Sequence, residues 1–527
     1  MGMSSSSRLN ENRATFQQLL ADATCQFDRG RPRSASALMQ SAARFAWYNH
    51  PGFFRSDALE VLAARLSVEL PSTDAIGDLR GHVVHVISQA YLAGGHTRLV
   101  WRWIENDPSR THSVVLIGQQ AVPVPQQLEV AVARSGGRVV DIGRDDSNLL
   151  LRASKLRRIA ESEPAVMILH IHPYDIVPSI ALPCTPASVI FATQADPVSS
   201  VALEDADLFA DIRVAGQRLS IQRRSVVPAQ SRLLPIPLAA PPAGDVVAAR
   251  ERLGLSATDV VVVSIATAYK YGAERGQHFV DVHLDFVLAN PEVRLHVVGP
   301  DDEGRWSEAN TATGGRFRAV GRVPDVADYY AAADIYVDSL PFASLTSLLD
   351  AAARGVSTVA LAELAPGSVL TSDDVALVAP IVQFADRTEY LGELDRLVRD
   401  KHRREERGRA LARNIANEHV SPGWNAHLST VMAGAGHEAT PTPVVLDPGQ
   451  TEPETRSTLD TALVDFQVVS GLAEPMWQAR LRDAPYLPFV DRWKLLRSLP
   501  GGRRLRASHY LLSDRTRSSL KRLFSRR

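Results

Sequence analysis

The residues best equipped for chemistry lie in one run, ADIYVDSLPFASLTSLLDAAARGVSTVAL, residues 333–361. A β-rich stretch ends at Asp338, a short loop follows, and apolar residues at three and four spacing predict a helix opening near Thr346 and Ser347. Free backbone N–H groups and the positive end of the helix dipole favour an anion there by about 0.3–1 kcal/mol. The two hydroxyls add donors, so this is a candidate diphosphate site. Asp350 lies one turn further in, where its carboxylate can accept hydrogen bonds from a ribose diol. Ser347 as an N-cap with Asp350 as its capping-box partner accounts for the same pattern.

A second run, AYLAGGHTRLV at residues 90–100, joins the apolar stretch HVVHVIS to a segment of helical spacing. Gly94 and Gly95 between strand and helix let backbone approach a phosphate, and without a GxGxxG the dinucleotide reading is weak. His96 and Thr97 open the helix toward a ligand, while Arg98 suits either a ligand or a structural carboxylate. In LHIHPYD, His170 and His172 are two apart and share a strand face, which admits a metal pair. No third ligand stands at convincing spacing, so no metal site is expected. Asp196 in FATQADPVSS follows the fifth strand, where it can take a proton from an acceptor hydroxyl or cap the next helix.

Two sheets are needed to position these groups. Short β-rich runs alternate with helical ones from Val83 (HVVHVIS, SVVLIG, RVVDIG, AVMILHIH, SVIFAT) and again from DVVVVSIA through VRLHVVGP, RFRAVG, ADIYVDS, VSTVAL and VALVAP. The fold class is therefore α/β, two Rossmann-like domains facing a cleft, with helical extensions at both ends. The boundaries read as a helical N-terminal region at 1–80 and a first sheet domain at 81–240, joined through the proline-rich LLPIPLAAPPAGD. A second sheet domain follows at 241–433, then a flexible linker at 434–456 and a basic helical region at 457–527, a separate piece. Length alone, 527 residues, requires more than one core. The 58 basic and 59 acidic residues leave a net charge of −1, which argues against nucleic acid as a partner. Two widely separated cysteines and no signal-peptide core or long apolar run suit a reducing cytoplasm. Local charge is concentrated in DRWKLLRSLPGGRRLRASHYLLSDRTRSSLKRLFSRR, an interfacial helix for an anionic membrane or a solvated tail packed by its leucines.

The 333–361 segment resembles the nucleotide-sugar signature of GT-B glycosyltransferases, with DAAARG matching family 4 and the Asp-x-x-Pro-aromatic loop matching O-GlcNAc transferase. The resemblance covers roughly residues 82–432. It implies that Asp350 binds the ribose and that Thr346 and Ser347 hold the diphosphate. Family 4 enzymes also carry a second Glu eight positions before the first, where this chain has Phe342. In SIATAYKYGAERGQHF, Lys270 and Arg275 stand at the family's spacing for two cations on the donor diphosphate, although a surface position for Lys270 is the alternative. By the same resemblance Gly94 and Gly95 face the donor across the cleft and His172 contacts the donor sugar; a structural role is the alternative for His170. Where an Asn-His is expected before Ala-Asp, the chain has Thr193 and Gln194.

The function implied is transfer of a sugar from a nucleotide-diphosphate sugar, UDP-linked, to a glycan, lipid-linked or protein acceptor. It would use His172, Asp196 and His96 as catalytic residues, with no metal and no cofactor beyond the donor. A catalytically degenerate scaffold subunit of a glycosylation complex and a nucleotide-sugar 2-epimerase are the alternatives. The expected location is cytoplasmic, with the basic C-terminal helix as the candidate contact to an anionic membrane.

Overall fold

A computed structural model describes residues 4–74, 76–92, 95–119, 122–144, 147–242, 244–271, 278–362, 370–372, 374–377, 383–435 and 457–499. Seven parallel strands build the first sheet: β1 (Val83–Ile87), β2 (His112–Leu116), β3 (Val139–Asp141), β4 (Val166–His170), β5 (Val189–Thr193), β6 (Leu208–Asp211) and β7 (Ser231–Leu233). Their order is β3-β2-β1-β4-β5-β6-β7. The second sheet contains β8 (Val260–Ile265), β9 (Val293–Val298), β10 (Phe317–Ala319), β11 (Ile335–Val337), β12 (Ser357–Leu361) and β13 (Gln383–Phe384), ordered β10-β9-β8-β11-β12-β13. Both orders reverse beside their first strand, between β1 and β4 and between β8 and β11. That reversal opens a crevice at the carboxyl ends of the strands.

The two α/β domains are those the alternating pattern predicts. Strands β1, β2, β4 and β5 are buried at every position, which is why they read as near-continuous apolar runs. Val84, Val86, Met167 and Leu169 pack on one face with Phe16, Leu19 and Met39 of the N-terminal helices. The alternate positions Val83, Ile168 and Ile190 pack with Trp103 and Trp424 on the other. The edge departs from expectation in one place. Val375–Leu377 of VALVAP is a 3-10 turn, and the edge strand is β13. A two-residue strand such as Gln383–Phe384 is too short to carry a period that a sequence can reveal.

The helical ends also depart from expectation. The N-terminal helices Ser5–Asp28, Pro32–Tyr48 and Asp57–Ser67 do not stand apart from the C-terminal helices Thr458–Val469, Met476–Asp483 and Phe489–Ser498. The two sets pack together. Arg44 holds buried Asp483 at 2.8 Å, Asn49 Nδ2 donates to the Glu474 carbonyl at 2.9 Å, and His50 Nε2 meets Asp460 Oδ1 at 2.8 Å. Arg223 of the first sheet domain adds a second cation to Asp460 at 3.0 Å. Asp483 and Asp460 are fully buried, and a buried carboxylate needs such partners. Neither end could bury these acids alone.

The helix Gly423–Gly434, assigned by sequence to the second domain, crosses back to the first sheet and packs on β6 and β7. Trp424 Nε1 donates to the Pro235 carbonyl at 2.6 Å, and Asn425 Nδ2 to the Asn106 carbonyl at 3.1 Å. Among the described residues no helix is long and apolar enough to cross a membrane. Residues 436–456 of the linker and 500–527 of the basic tail lie outside the described residues.

Candidate active site

A cavity of about 510 Å³ occupies the crevice between the two domains. The first domain contributes Tyr91, Gly95, His96, His172, Gln194 and Asp196, and the second contributes Tyr269, Lys270, Phe342 and Thr346. Its roof is made by the helical ends, through Trp47 and Tyr48 from one and Phe466, Gln467 and Leu472 from the other. Nothing in the spacing of the sequence indicated that the extensions reach the site.

On the second domain's wall, the helix begins at Leu345 with Ser344 as N-cap, so Thr346 and Ser347 are its second and third residues. The capping pair of Ser347 with Asp350 does not form. Ser344 Oγ lies 3.2 Å from Ser347 Oγ instead. The loop before the helix is organised by buried Asp338, whose Oδ1 accepts from the backbone N–H of Ser339 at 2.8 Å and of Ser344 at 2.9 Å. Lys270 is not a surface residue. Its Nζ donates to the Ala343 carbonyl at 2.8 Å at the foot of the same helix, and burial lowers its pKa against the pull of Asp338. Phe342, where the resembled family has an acid, packs edge-on against Phe466 of the C-terminal helix with centroids 3.9 Å apart. An apolar side chain there serves the roof.

Asp350 is partly exposed and faces two cations, Arg98 Nη1 of the first domain at 3.8 Å and Arg354 Nη1 at 4.0 Å. Arg98 thus reaches a carboxylate across the cleft. Gly95 sits against the other wall as well, since a Cβ placed on it would lie 3.6 Å from Thr346 Cγ2. Gly95, Lys270, Thr346 and, through Arg98, Asp350 therefore meet where the two domains face each other. Gly94 and Arg275 lie outside the described residues.

On the first domain's wall, His96 Nε2 donates to the His170 carbonyl at 3.0 Å, and among the described residues its Nδ1 has no partner. Burial pushes His96 down to about 4 and, with His96 beside it, His172 down to about 3, so both are neutral imidazoles. Both ring nitrogens of His172 meet tyrosine hydroxyls, Nε2 with Tyr91 at 3.0 Å and Nδ1 with Tyr174 at 3.1 Å. His170 turns to other partners, with its Nε2 on His85 Nδ1 at 2.9 Å. The two histidines engage different neighbours, which removes the metal-pair reading.

Asp196 is neither a free carboxylate nor a helix cap. It is buried, and both of its oxygens are taken by the Arg213 guanidinium, Oδ1 at 2.7 Å from Nη2 and Oδ2 by Nε. Gly216 permits this approach, because a Cβ there would fall 2.7 Å from Asp196 Oδ2. Arg213 and Tyr91 were not singled out by sequence, and Gln194 was noted only as standing in the resembled family's Asn-His position. The Arg213 pairing joins two strand ends that are adjacent only in space.

Residues 260–396 match the sequence model of a family described as glycosyl transferases group 1. No curated protein matches the chain. Among solved structures, a glycosyltransferase from Rickettsia africae aligns with a TM-score of 0.52 at 10% identity, covering 68% of this chain and 99% of that one. Anabaena HepE in complex with UDP-glucose aligns with a TM-score of 0.50 at 13% identity, covering 66% and 99%. An O-GlcNAc transferase mutant from Thermobaculum terrenum aligns at 0.46 and 16% identity, covering 82% and 84%. The chain has the two-domain GT-B glycosyltransferase fold, and its second domain carries the glycosyl transferases group 1 signature between helical extensions that close over the cleft.

Proposed function

We propose that the protein is a glycosyltransferase that moves a sugar from a UDP-sugar to a hydroxyl of an acceptor lodged under the helical roof. One observation carries this reading. Lys270 and the helix start at Thr346 on one wall face Gly95 and His96 on the other, across a cavity at the carboxyl ends of two parallel sheets. The diphosphate lies at Lys270, Thr346 and Ser347 beside Gly95, and Asp350 takes the ribose; Gly94 and Arg275 keep this assignment from their spacing in the sequence alone. A partly buried cation and helix-end N–H groups are worth most where negative charge grows, on the departing diphosphate, so the protein itself supplies leaving-group stabilisation. His96 and His172, held neutral, line the sugar's side of the cavity as hydrogen-bonding groups.

The donor is a hexosyl or N-acetylhexosaminyl nucleotide used without a metal, and the acceptor is a glycan, lipid-linked or protein hydroxyl. The location is cytoplasmic with a peripheral membrane contact. That contact is supported by the helix Phe489–Ser498, which exposes Phe489, Val490 and Trp493 beside Lys494 and Arg497. Locking of Asp196 by Arg213 favours a second reading, a scaffold that retains the fold and donor pocket without turnover. A thermal-shift series with UDP-, GDP-, ADP- and dTDP-sugars tests the donor class, because specific ligand stabilises the fold with the logarithm of its excess. A UDP-selective shift supports the proposal, and a flat series removes it. Turnover of the stabilising donor, by hydrolysis or transfer, then separates enzyme from scaffold. An isomeric nucleotide sugar formed from donor alone, in place of free sugar and UDP, identifies an epimerase.

A further inference from the structure

Three histidines, each fully buried, stand on three neighbouring strands of the first sheet: His112 on β2, His85 on β1 and His170 on β4. They form one hydrogen-bonded row beneath Trp103. His85 Nε2 lies 3.0 Å from His112 Nδ1, and His85 Nδ1 lies 2.9 Å from His170 Nε2. At the far end, His112 Nε2 meets only oxygens of Asp107, the carbonyl at 3.1 Å and Oδ2 at 3.3 Å. At the cleft end, His170 Nδ1 meets the Gln194 amide nitrogen.

With one proton per ring, this geometry has one consistent order. His112 Nε2 faces acceptors and must carry hydrogen, so its Nδ1 accepts from His85 Nε2–H. His85 Nδ1 then accepts from His170 Nε2–H, and His170 Nδ1 accepts from the Gln194 NH₂ group. Burial holds His85 and His170 well below the ordinary imidazole range, which keeps these two rings at one proton. Both Gln194 and His96 line the cavity, and among the described residues the buried Gln194 Oε1 and His96 Nδ1 have no hydrogen-bond partner, His96 Nε2 being committed to the His170 carbonyl.

We infer that the His112–His85–His170 row is a positioning device that fixes the Gln194 amide with its oxygen toward the cavity, so that Gln194 Oε1 and His96 Nδ1 together accept hydrogen bonds from hydroxyls of the transferred sugar. Two buried acceptors left unpaired among the described residues disfavour an apolar occupant and favour one that brings O–H donors. The occupant rests on the nucleotide-sugar reading above, whereas the row's order does not.

Two measurements on the full chain test it. Long-range ¹H–¹⁵N correlation of histidine-labelled protein at neutral pH reads the tautomers directly. The expected result is bare Nδ1 and protonated Nε2 on His85, His112 and His170, and an Nδ1–H on any of the three reverses the order and overturns the inference. Calorimetry with UDP and UDP-glucose reads the occupant. Gln194→Leu should weaken UDP-glucose about tenfold and leave UDP unchanged, the scale of one hydrogen bond. His112→Phe, at the far end of the row, should show the same selective loss with disordered tautomers, and Gln194→Asn should restore part of the affinity. Equal losses for both ligands, or none, overturn recognition of the sugar. If the unaltered protein binds neither ligand, the UDP-sugar reading and its occupant fall together, while the tautomers still decide the row.

Discussion

On the second domain's wall the groups offered to a ligand come from one continuous run, from Asp338 through the helix start to Asp350, with Lys270 docked at its foot by a bond to Ala343. On the first domain's wall they come from the ends of separate strands, and most are already paired within the protein: His170 to His85, His172 to two tyrosines, Asp196 to Arg213. The first arrangement leaves hydroxyls and a cation at a helix N-terminus, which suits an arriving anion. The second fixes side chains before any ligand arrives and, among the described residues, leaves acceptors such as Gln194 Oε1 and His96 Nδ1 unpaired. One wall therefore attracts charge, and the other orients neutral groups.

The largest test of that contrast is Asp196→Ala. Removing one partner of a buried ion pair leaves an uncompensated charge and costs about 3–5 kcal/mol. Denaturant unfolding should show that loss, and Asp196→Ala with Arg213→Met should recover part of it. An Asp196→Ala protein of unchanged stability and abolished turnover would return Asp196 to the role of base. Next in size is Lys270→Ala on the other wall. A preorganised cation acting on the leaving diphosphate is worth about 2.7–4 kcal/mol of barrier, or 100- to 1000-fold in kcat. Steady-state kinetics should place the loss in kcat more than in KM.

How much of this was legible follows the same division. The helix start, Lys270 and Asp350 could be found because their spacing lies along the chain. The histidine row could not. His85, His112 and His170 are isolated residues in three apolar runs, and only the strand order β2-β1-β4 makes them neighbours. Gly95 against Thr346 and Arg98 against Asp350 are likewise contacts between domains, for which a single sequence has no register. The helical ends were visible as helices, but their meeting over the cleft depends on buried Asp460 and Asp483 finding His50, Arg223 and Arg44. Their charges look the same on a page as solvated ones.

Histidines near the two walls should also respond oppositely to pH. Burial lowers His85 and His170, so below an unfolded value near 6.5 the unfolded chain binds more protons. Their contribution is complete above that pH and is lost as pH falls, by at most about 1.4 kcal/mol per pH unit for each ring. His419, beside the second domain, runs the other way. Burial would lower it, but Asp374 at 2.8 Å and the Ile236 carbonyl raise it, so its contribution is present below about 6.5 and lost as pH rises through its raised value. Melting curves at pH 7.5 and 5.5 should therefore show the penalty of His170→Asn shrinking toward acid and that of His419→Gln growing. Parallel behaviour of the two variants would contradict the assignment of charge states.

The smallest effect concerns Arg98 and Asp350, where the walls touch. The pair is separated by 3.8 Å, with the Arg98 side chain 39% exposed, so it resembles a surface ion pair worth about 0–1 kcal/mol and screened by salt. Arg98→Ala and Asp350→Ala should each change stability by less than about 1 kcal/mol. Their effects on ligand should differ. If Asp350 accepts from the ribose hydroxyls, Arg98 is a placeholder that the nucleotide displaces, and Arg98→Ala should leave UDP affinity unchanged or slightly higher. Asp350→Ala should lower UDP affinity about tenfold, the scale expected for hydrogen bonds to a charged acceptor. Calorimetry at two salt concentrations resolves the alternatives. Equal losses of affinity in both variants, relieved by salt in neither, would mean that the pair acts by holding the domains in register and that the ribose is bound elsewhere on the second domain's wall.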